Sequence, residues 1–352
     1  MFNYNDEIVK EDLKDLYNLK LDYNILKNKS ILITGANSMI ATYLSYYFMY
    51  LNDNANTNIK LYLLSRDDEK LQKKFVNNLN RNDIVSISQD VTKKINIEEK
   101  LDYIIHMASS ASPKIILEDP ISIIEANILG TLNILNLARK NNSEVIFTST
   151  REIYGKMNDN INKISEDDMG VLNCFDQRAC YPESKRLAET ILVNYNYQYG
   201  IDFKNLRIAH VFGPGMNIKN DGRVMSDFIC DVVNNRDIVL KSKGDAKRAF
   251  CYITDAISGI LHVMLKGTKN QSYNISNETE EISISDLANL IASISSENNI
   301  KVKYELNSDQ RGYTKFKRVA LDTTKLESLG WKPKVKLKDG IIKTVNSYKN
   351  EL

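Results

Sequence analysis

Apolar residues fall along this chain in short blocks that alternate between two rhythms. Ile31-Leu32-Ile33, Leu61-Tyr-Leu-Leu64, Val85-Ser-Ile-Ser88, Tyr103-Ile-Ile105, Val145-Ile-Phe147 and the run from Phe203 to Val211 have the length and side-chain types of strands. Between them, 39–51, 121–140 and 181–199 carry longer apolar patterns that predict helices. Such alternation predicts a parallel sheet with right-handed crossovers, a doubly wound Rossmann-type α/β fold. Leu13, Leu16, Leu19 and Leu26 give residues 1–28 the rhythm of an N-terminal helical extension. Beyond Val211 the alternation breaks down, and helices at 223–235 and 285–295 among short strands predict a smaller α/β unit over the sheet's carboxyl edge. The expected division is an extension at 1–28, a dinucleotide-binding domain at 29–207 with 251–266 returning to it, and a substrate domain at 208–250 and 267–352.

Composition narrows the partners. With 352 residues and 43% hydrophobic content the chain can bury a large core. Lys+Arg number 47 against 45 Asp+Glu, scattered rather than clustered, which argues against nucleic acid. Cys174, Cys180, Cys230 and Cys251 form no C-x-x-C pair and are expected to be reduced. The absence of a basic-then-apolar leader, or of 18 uncharged apolar residues in a row, leads us to expect a cytoplasmic protein with no membrane partner. No metal site is expected. Glycine is scarce, so Gly35, Gly155, Gly213 and Gly215 are expected to mark special backbone positions.

The first strand runs into Thr34-Gly35-Ala-Asn-Ser38-Met-Ile-Ala41, a turn that can turn backbone amides and a helix N-terminus toward a pyrophosphate. Against T-G-x-x-G-x-x-G, Ser38 and Ala41 replace two glycines. Ala41 still allows close packing, whereas Ser38 must take an unusual backbone angle or let the turn shift. An ordinary strand-helix loop is the alternative. After the second strand, Ser65-Arg66 suits the 2′-phosphate of NADP better than the ribose of NAD, though Asp67 could serve that ribose. Asp90-Val91 is a candidate for the adenine or a plain turn.

Tyr-x-x-x-Lys occurs at Tyr23–Lys27, Tyr181–Lys185 and Tyr313–Lys317. Only the middle copy follows both a nucleotide-binding strand and a strand ending in Thr148-Ser149-Thr150. Four residues apart on a helix, Tyr181 and Lys185 share a face. A phenol is a poor base near neutrality unless a cation stabilises its phenolate, and Lys185 is expected to do so. Thr150 would hold the substrate hydroxyl that Tyr181 deprotonates.

With these motifs the chain resembles an extended short-chain dehydrogenase/reductase of the nucleotide-sugar epimerase/dehydratase family, from Ser30 to Val345. His106-Met-Ala-Ser-Ser-Ala-Ser-Pro113, Asn127-x-x-Gly-Thr131, Ser149-Thr-Arg-Glu-Ile-Tyr-Gly155, Phe212-Gly-Pro-Gly215, Asp221-Gly-Arg-Val224, Arg248-Ala-Phe-Cys-Tyr252 and Gly330-Trp-Lys-Pro333 carry it. The first of these and Asp221-Gly-Arg-Val224 are most similar to UDP-glucuronate decarboxylases. The resemblance implies oxidation of a sugar C4 hydroxyl to a ketone, with Gly35, Asn37, Ser38, Met39, Ile40, Ser65, Arg66, Asp90, Val91, Met107, Ala108 and Ser109 around NAD or NADP. It implies Ser110, Arg151, His210, Arg223, Arg248 and Arg311 around a nucleotide-diphosphate sugar, and a homodimer through helices 121–140 and 181–199.

Glu152 is either a base beside the new ketone or the partner of Arg151 or a loop cation. Arg151 replaces the serine of decarboxylases and the aspartate of 4,6-dehydratases; it either grips a uronate carboxylate or faces solvent. His210 replaces an asparagine and is a ligand contact or a core histidine, and His106 is expected to be structural. Epimerisation or decarboxylation is the leading expectation. The alternatives are NADPH-dependent reduction of a 4-keto-6-deoxy sugar, 4,6-dehydration, and a non-catalytic dinucleotide sensor.

Overall fold

The computed structural model describes residues 2–158, 160–219, 221–294, 299–305 and 318–349. Strands β1 (Ser30–Thr34), β2 (Lys60–Ser65), β3 (Ile84–Ser88), β4 (Tyr103–His106) and β5 (Glu144–Thr150) lie in one sheet. After the short β6 (Lys163–Ile164), β7 (Phe203–Ile208) joins that sheet; β8 (Val211–Phe212), β9 (Ile238–Leu240), β10 (Lys247–Ala249) and β11 (Cys251–Tyr252) do not, and β12 (Gln271–Ile275) does. The order is β12-β7-β5-β4-β1-β2-β3, every neighbour parallel. It is the Rossmann-type sheet the alternation predicts. The order reverses between β1 and β4, and the loops after these two strands open the crevice where such folds bind ligands.

Side-chain alternation explains why both faces are apolar. Ile31 and Ile33 join the core with helices α1 (Glu7–Tyr17) and α2 (Met39–Ala55), while Leu32 points to the opposite layer. Helices α3 (Asp68–Lys74) and α4 (Pro113–Glu118) are short. The second layer is built by α5 (Pro120–Asn141) and α6 (Cys180–Tyr199), whose Ile134, Leu135, Ala188 and Leu192 cover Leu32, Ile104 and Phe147. Helix α5 is long and apolar enough to cross a membrane by length and composition, but here it packs on the sheet alongside α6.

Helices α7 (Val224–Val233), α8 (Ile253–Lys266), α9 (Ile284–Ile294), α10 (Thr324–Glu327) and α11 (Leu337–Lys349) complete the chain. Two expected boundaries change. The sixth strand ends at Ile208, because His210 turns into the left-handed region at φ 44°. Residues 267–352 are not one substrate domain, because β12 is the edge strand of the large sheet. The tail then returns to α8, where Trp331 Nε1 donates to the Asp255 carbonyl at 3.0 Å and the Asp255 carboxylate accepts from the amides of Lys334 and Val335. The N-terminal helix is tied in similarly: buried Asp12 accepts from Tyr43 (3.0 Å), Tyr252 (2.7 Å) and Lys343 (2.8 Å).

Candidate active site

The crevice at the strand reversal is shaped by Gly35. Its φ is +67°, and an added Cβ would stand 2.9 Å from Cα of Ala108, so glycine lets the two loops touch. The Thr34 hydroxyl accepts from the amides of Met107 and Ala108 at 3.2 Å each and meets His106 Nδ1 at 2.8 Å. Burial, then the charge of Lys185, pulls the His106 pKa down to about 3, so this histidine is a neutral strut as expected. Ser38 resolves its missing glycine by a shifted turn, at φ −75° and ψ 159°, and its hydroxyl does not cap α2. The first-turn amides of α2, from Met39 and Ile40 on, thus lack a side-chain cap, and the Ser109 hydroxyl is buried without a partner. A dinucleotide pyrophosphate fits such a set of donors.

The residues placed toward the ribose and adenine behave less simply. The Ser65 hydroxyl is bonded to the backbone of Asp67 at 3.1 Å. The Asp67 carboxylate caps α3 by accepting from the Lys70 amide at 3.0 Å and pairs with the Lys70 ammonium at 3.1 Å. Arg66 stands 3.8 Å from Asp90, which also accepts from the Thr92 amide at 2.8 Å. Val91 is a buried core residue lying against Gly130.

Tyr181 and Lys185 are buried on one face of α6, facing the end of β5. The Thr150 hydroxyl accepts from the Glu152 amide at 3.2 Å and lies near enough to the Tyr181 phenol to favour its ionised form. Lys185 Nζ donates to the Thr148 carbonyl at 2.8 Å and stands 4.6 Å from the centre of the Phe147 ring. The expected lowering of the phenol does not hold in the chain alone. Burial, and next the charge of Glu152, raise the Tyr181 pKa, while Thr150, Arg223 and Arg178 only offset them. Burial also pulls Lys185 down to about 7. A phenol and an ammonium withdrawn from water both favour their neutral forms.

Of the two roles weighed for Glu152, the structure shows the loop cation: Arg178 clasps both carboxylate oxygens at 2.9 and 3.1 Å. Arg178 was not foreseen, although it lies three residues before Tyr181. Arg151 does not face solvent; Nη2 donates to the Val319 carbonyl at 3.2 Å and Nε is buried without a partner. His210 is half-buried beside Phe250 with its Nε2 shielded from solvent, and desolvation followed by the charges of Arg151, Arg248, Arg318 and Arg223 holds its pKa well below the usual value. Arg223 pairs with Asp221, Arg248 donates to the Lys247 carbonyl at 2.7 Å, and Ser110 accepts from the Ser112 amide at 3.4 Å. Arg318, a second unforeseen cation, pairs with Glu278 and Glu281. Arg311 and the Tyr313–Lys317 copy lie outside the described residues. Tyr23 of the first copy is buried against Tyr47, remote in role from any pocket lysine.

Residues 31–276 match the NAD dependent epimerase/dehydratase family. The chain belongs to this family. UDP-glucuronic acid decarboxylase 6 of Arabidopsis thaliana is 34% identical over 256 residues, 72% of this chain and 71% of that protein. UDP-glucuronic acid decarboxylase 1 of Xenopus tropicalis is 35% identical over 268 residues, covering 76% and 61%. The fold is that of a Thermotoga maritima UDP-glucose 4-epimerase solved with UDP-glucose, at TM-score 0.77 and 24% identity over 92% of this chain and 99% of that one. As a member of this family the chain is an NAD-dependent enzyme with a Rossmann-type sheet.

Proposed function

We propose that this protein oxidises the C4 hydroxyl of a nucleotide-diphosphate sugar to a ketone and then completes an epimerisation or a decarboxylation. The observation that carries the reading is the buried Tyr181 phenol beside Thr150, with Lys185 one helical turn away at the carboxyl end of β5. When bound, a nicotinamide dinucleotide supplies the hydride acceptor. Gly35, the α2 amides, Met107, Ala108, Ser109, Tyr181 and Lys185 would hold it. Thr150 positions the sugar hydroxyl, and Tyr181 takes its proton. In the chain alone the phenol keeps its proton, so Tyr181 acts as a base once further positive charge is brought to the pocket; Lys185 has ammonium donors to offer besides the one on Thr148. Thr150-Arg151-Glu152 lacks the acidic residue that 4,6-dehydration needs at 151.

Incubation with UDP-, dTDP-, GDP- and CDP-sugars tests this, read by nicotinamide absorbance and by NMR of the products. The reading expects a changed sugar with no net change in bound cofactor. Stoichiometric consumption of NADPH would favour the 4-keto-6-deoxy sugar reductase instead. For the cofactor, a guanidinium at Arg66 just after β2 supports a 2′-phosphate, while its 3.8 Å approach to Asp90 opposes one. Preference for NADP that falls in Arg66→Ala would support that assignment; preference for NAD in the parent would end it. Helices α5 and α6 also expose Ile121, Leu129, Leu187 and Val193, and we infer that a second copy covers them; a monomeric sedimentation coefficient would contradict this.

A further inference from the structure

Four guanidinia surround His210, those of Arg151, Arg248, Arg318 and Arg223, and carboxylates match them unequally. Arg223 has Asp221, and Arg318 has Glu278 and Glu281. Arg151 and Arg248 form no ion pair with any described carboxylate; their bonds reach only the main-chain carbonyls of Val319 and Lys247. Arg151 Nε and His210 Nε2 are both buried without a partner. A buried charged donor left unpaired carries its desolvation penalty in full, which an arriving anion would remove. The family resemblance puts Arg248 with Arg223 beside the nucleotide diphosphate, which would serve as its counter-ion. Arg151 is left over.

Its place in the chain says where its ligand would sit. Arg151 directly follows Thr150, the residue that holds the reacting C4 hydroxyl. In a hexuronate the carboxylate is borne on the carbon next to C4. A planar guanidinium with a free Nε–H matches two carboxylate oxygens, which a neutral hydroxymethyl group cannot offer. We propose that Arg151 is a specificity-determining residue that receives the carboxylate of an acidic sugar. The proposal rests on the nucleotide-sugar reading. A neutral sugar leaves the buried guanidinium unmatched, so the site selects against it as well as for the acid.

The test is calorimetric binding of UDP-glucuronate, UDP-glucose and UDP to the full chain with saturating NAD+, in a Tyr181→Phe background that stops turnover. Losing a charge-assisted pair should weaken UDP-glucuronate about tenfold or more in Arg151→Ser, with UDP-glucose and UDP within about twofold of the parent. Arg151→Lys, which keeps the charge and loses the fork, should give a smaller loss for UDP-glucuronate alone, and it serves if the serine variant does not fold. Equal losses for all three ligands, or no loss for the acid, would overturn the role of Arg151 while leaving the functional reading intact. No binding of any of the three to the parent background would overturn both.

Discussion

Replacing Gly35 by alanine adds one methyl group where the loops after β1 and β4 meet. The residue sits at φ +67°, a region that costs an L-residue about 1–2 kcal/mol. The new Cβ would lie 2.9 Å from Cα of Ala108, 3.0 Å from its nitrogen and 3.0 Å from the carbonyl carbon of Met107. All three are main-chain atoms, and the amides of Met107 and Ala108 are pinned to the Thr34 hydroxyl. No side chain can rotate out of the way, so the loop must move, at a cost typical of overpacking, about 1–3 kcal/mol. Together the two effects amount to about 2–5 kcal/mol, a large part of an ordinary domain's stability of about 5–15 kcal/mol. The displaced loops are those assigned to the dinucleotide, so stability and cofactor affinity should fall together. Thermal unfolding by circular dichroism should show a loss of about 3–7 °C, and calorimetry a weaker NAD+. Parent-like Tm and affinity in Gly35→Ala would refute the close approach of these loops.

Asp12→Ala removes the shared acceptor of Tyr43, Tyr252 and Lys343 and leaves a half-buried ammonium and two buried hydroxyls; urea unfolding should show a loss of about 3–5 kcal/mol, and a change under about 1 kcal/mol would contradict the tie. Lys185 gives a pH signature. Its pKa falls from 10.5 to about 7 on folding, so between those values the native chain binds fewer protons than the unfolded one and the lysine's penalty fades as pH rises. Lys185→Met should therefore gain stability over the parent at pH 7, with the gain gone near pH 10; a pH-independent difference would show that the buried ammonium is not the cause.

Much of the fold is legible because buried strands and helices imprint their periods directly. Ile31-Leu32-Ile33 needs apolar side chains on both faces, and α5 and α6 must cover what β1, β4 and β5 present. Gln271–Ile275 escaped because an edge strand with exposed Gln271 and buried Asn274 has no strong apolar run. At the site, order along the chain singled out Tyr181–Lys185 from its two copies. What spacing cannot show is which charges neutralise one another. Glu152 is bound to Arg178, 26 positions away, and Asp67 caps α3; both depend on where loops return in space. The same holds for the phenol, whose partner lysine is visible in sequence while the burial that dominates both is not.

The central claim is that the Tyr181 phenol moves the proton of a sugar hydroxyl. Tyr181→Phe keeps the ring and its packing and deletes only the oxygen, so one comparison decides: binding and turnover of a nucleotide sugar that the parent converts. The account predicts NAD+ and sugar affinities each within a few-fold of the parent, and turnover reduced by about 100-fold or more. Turnover within threefold of the parent, at equal binding, would contradict it.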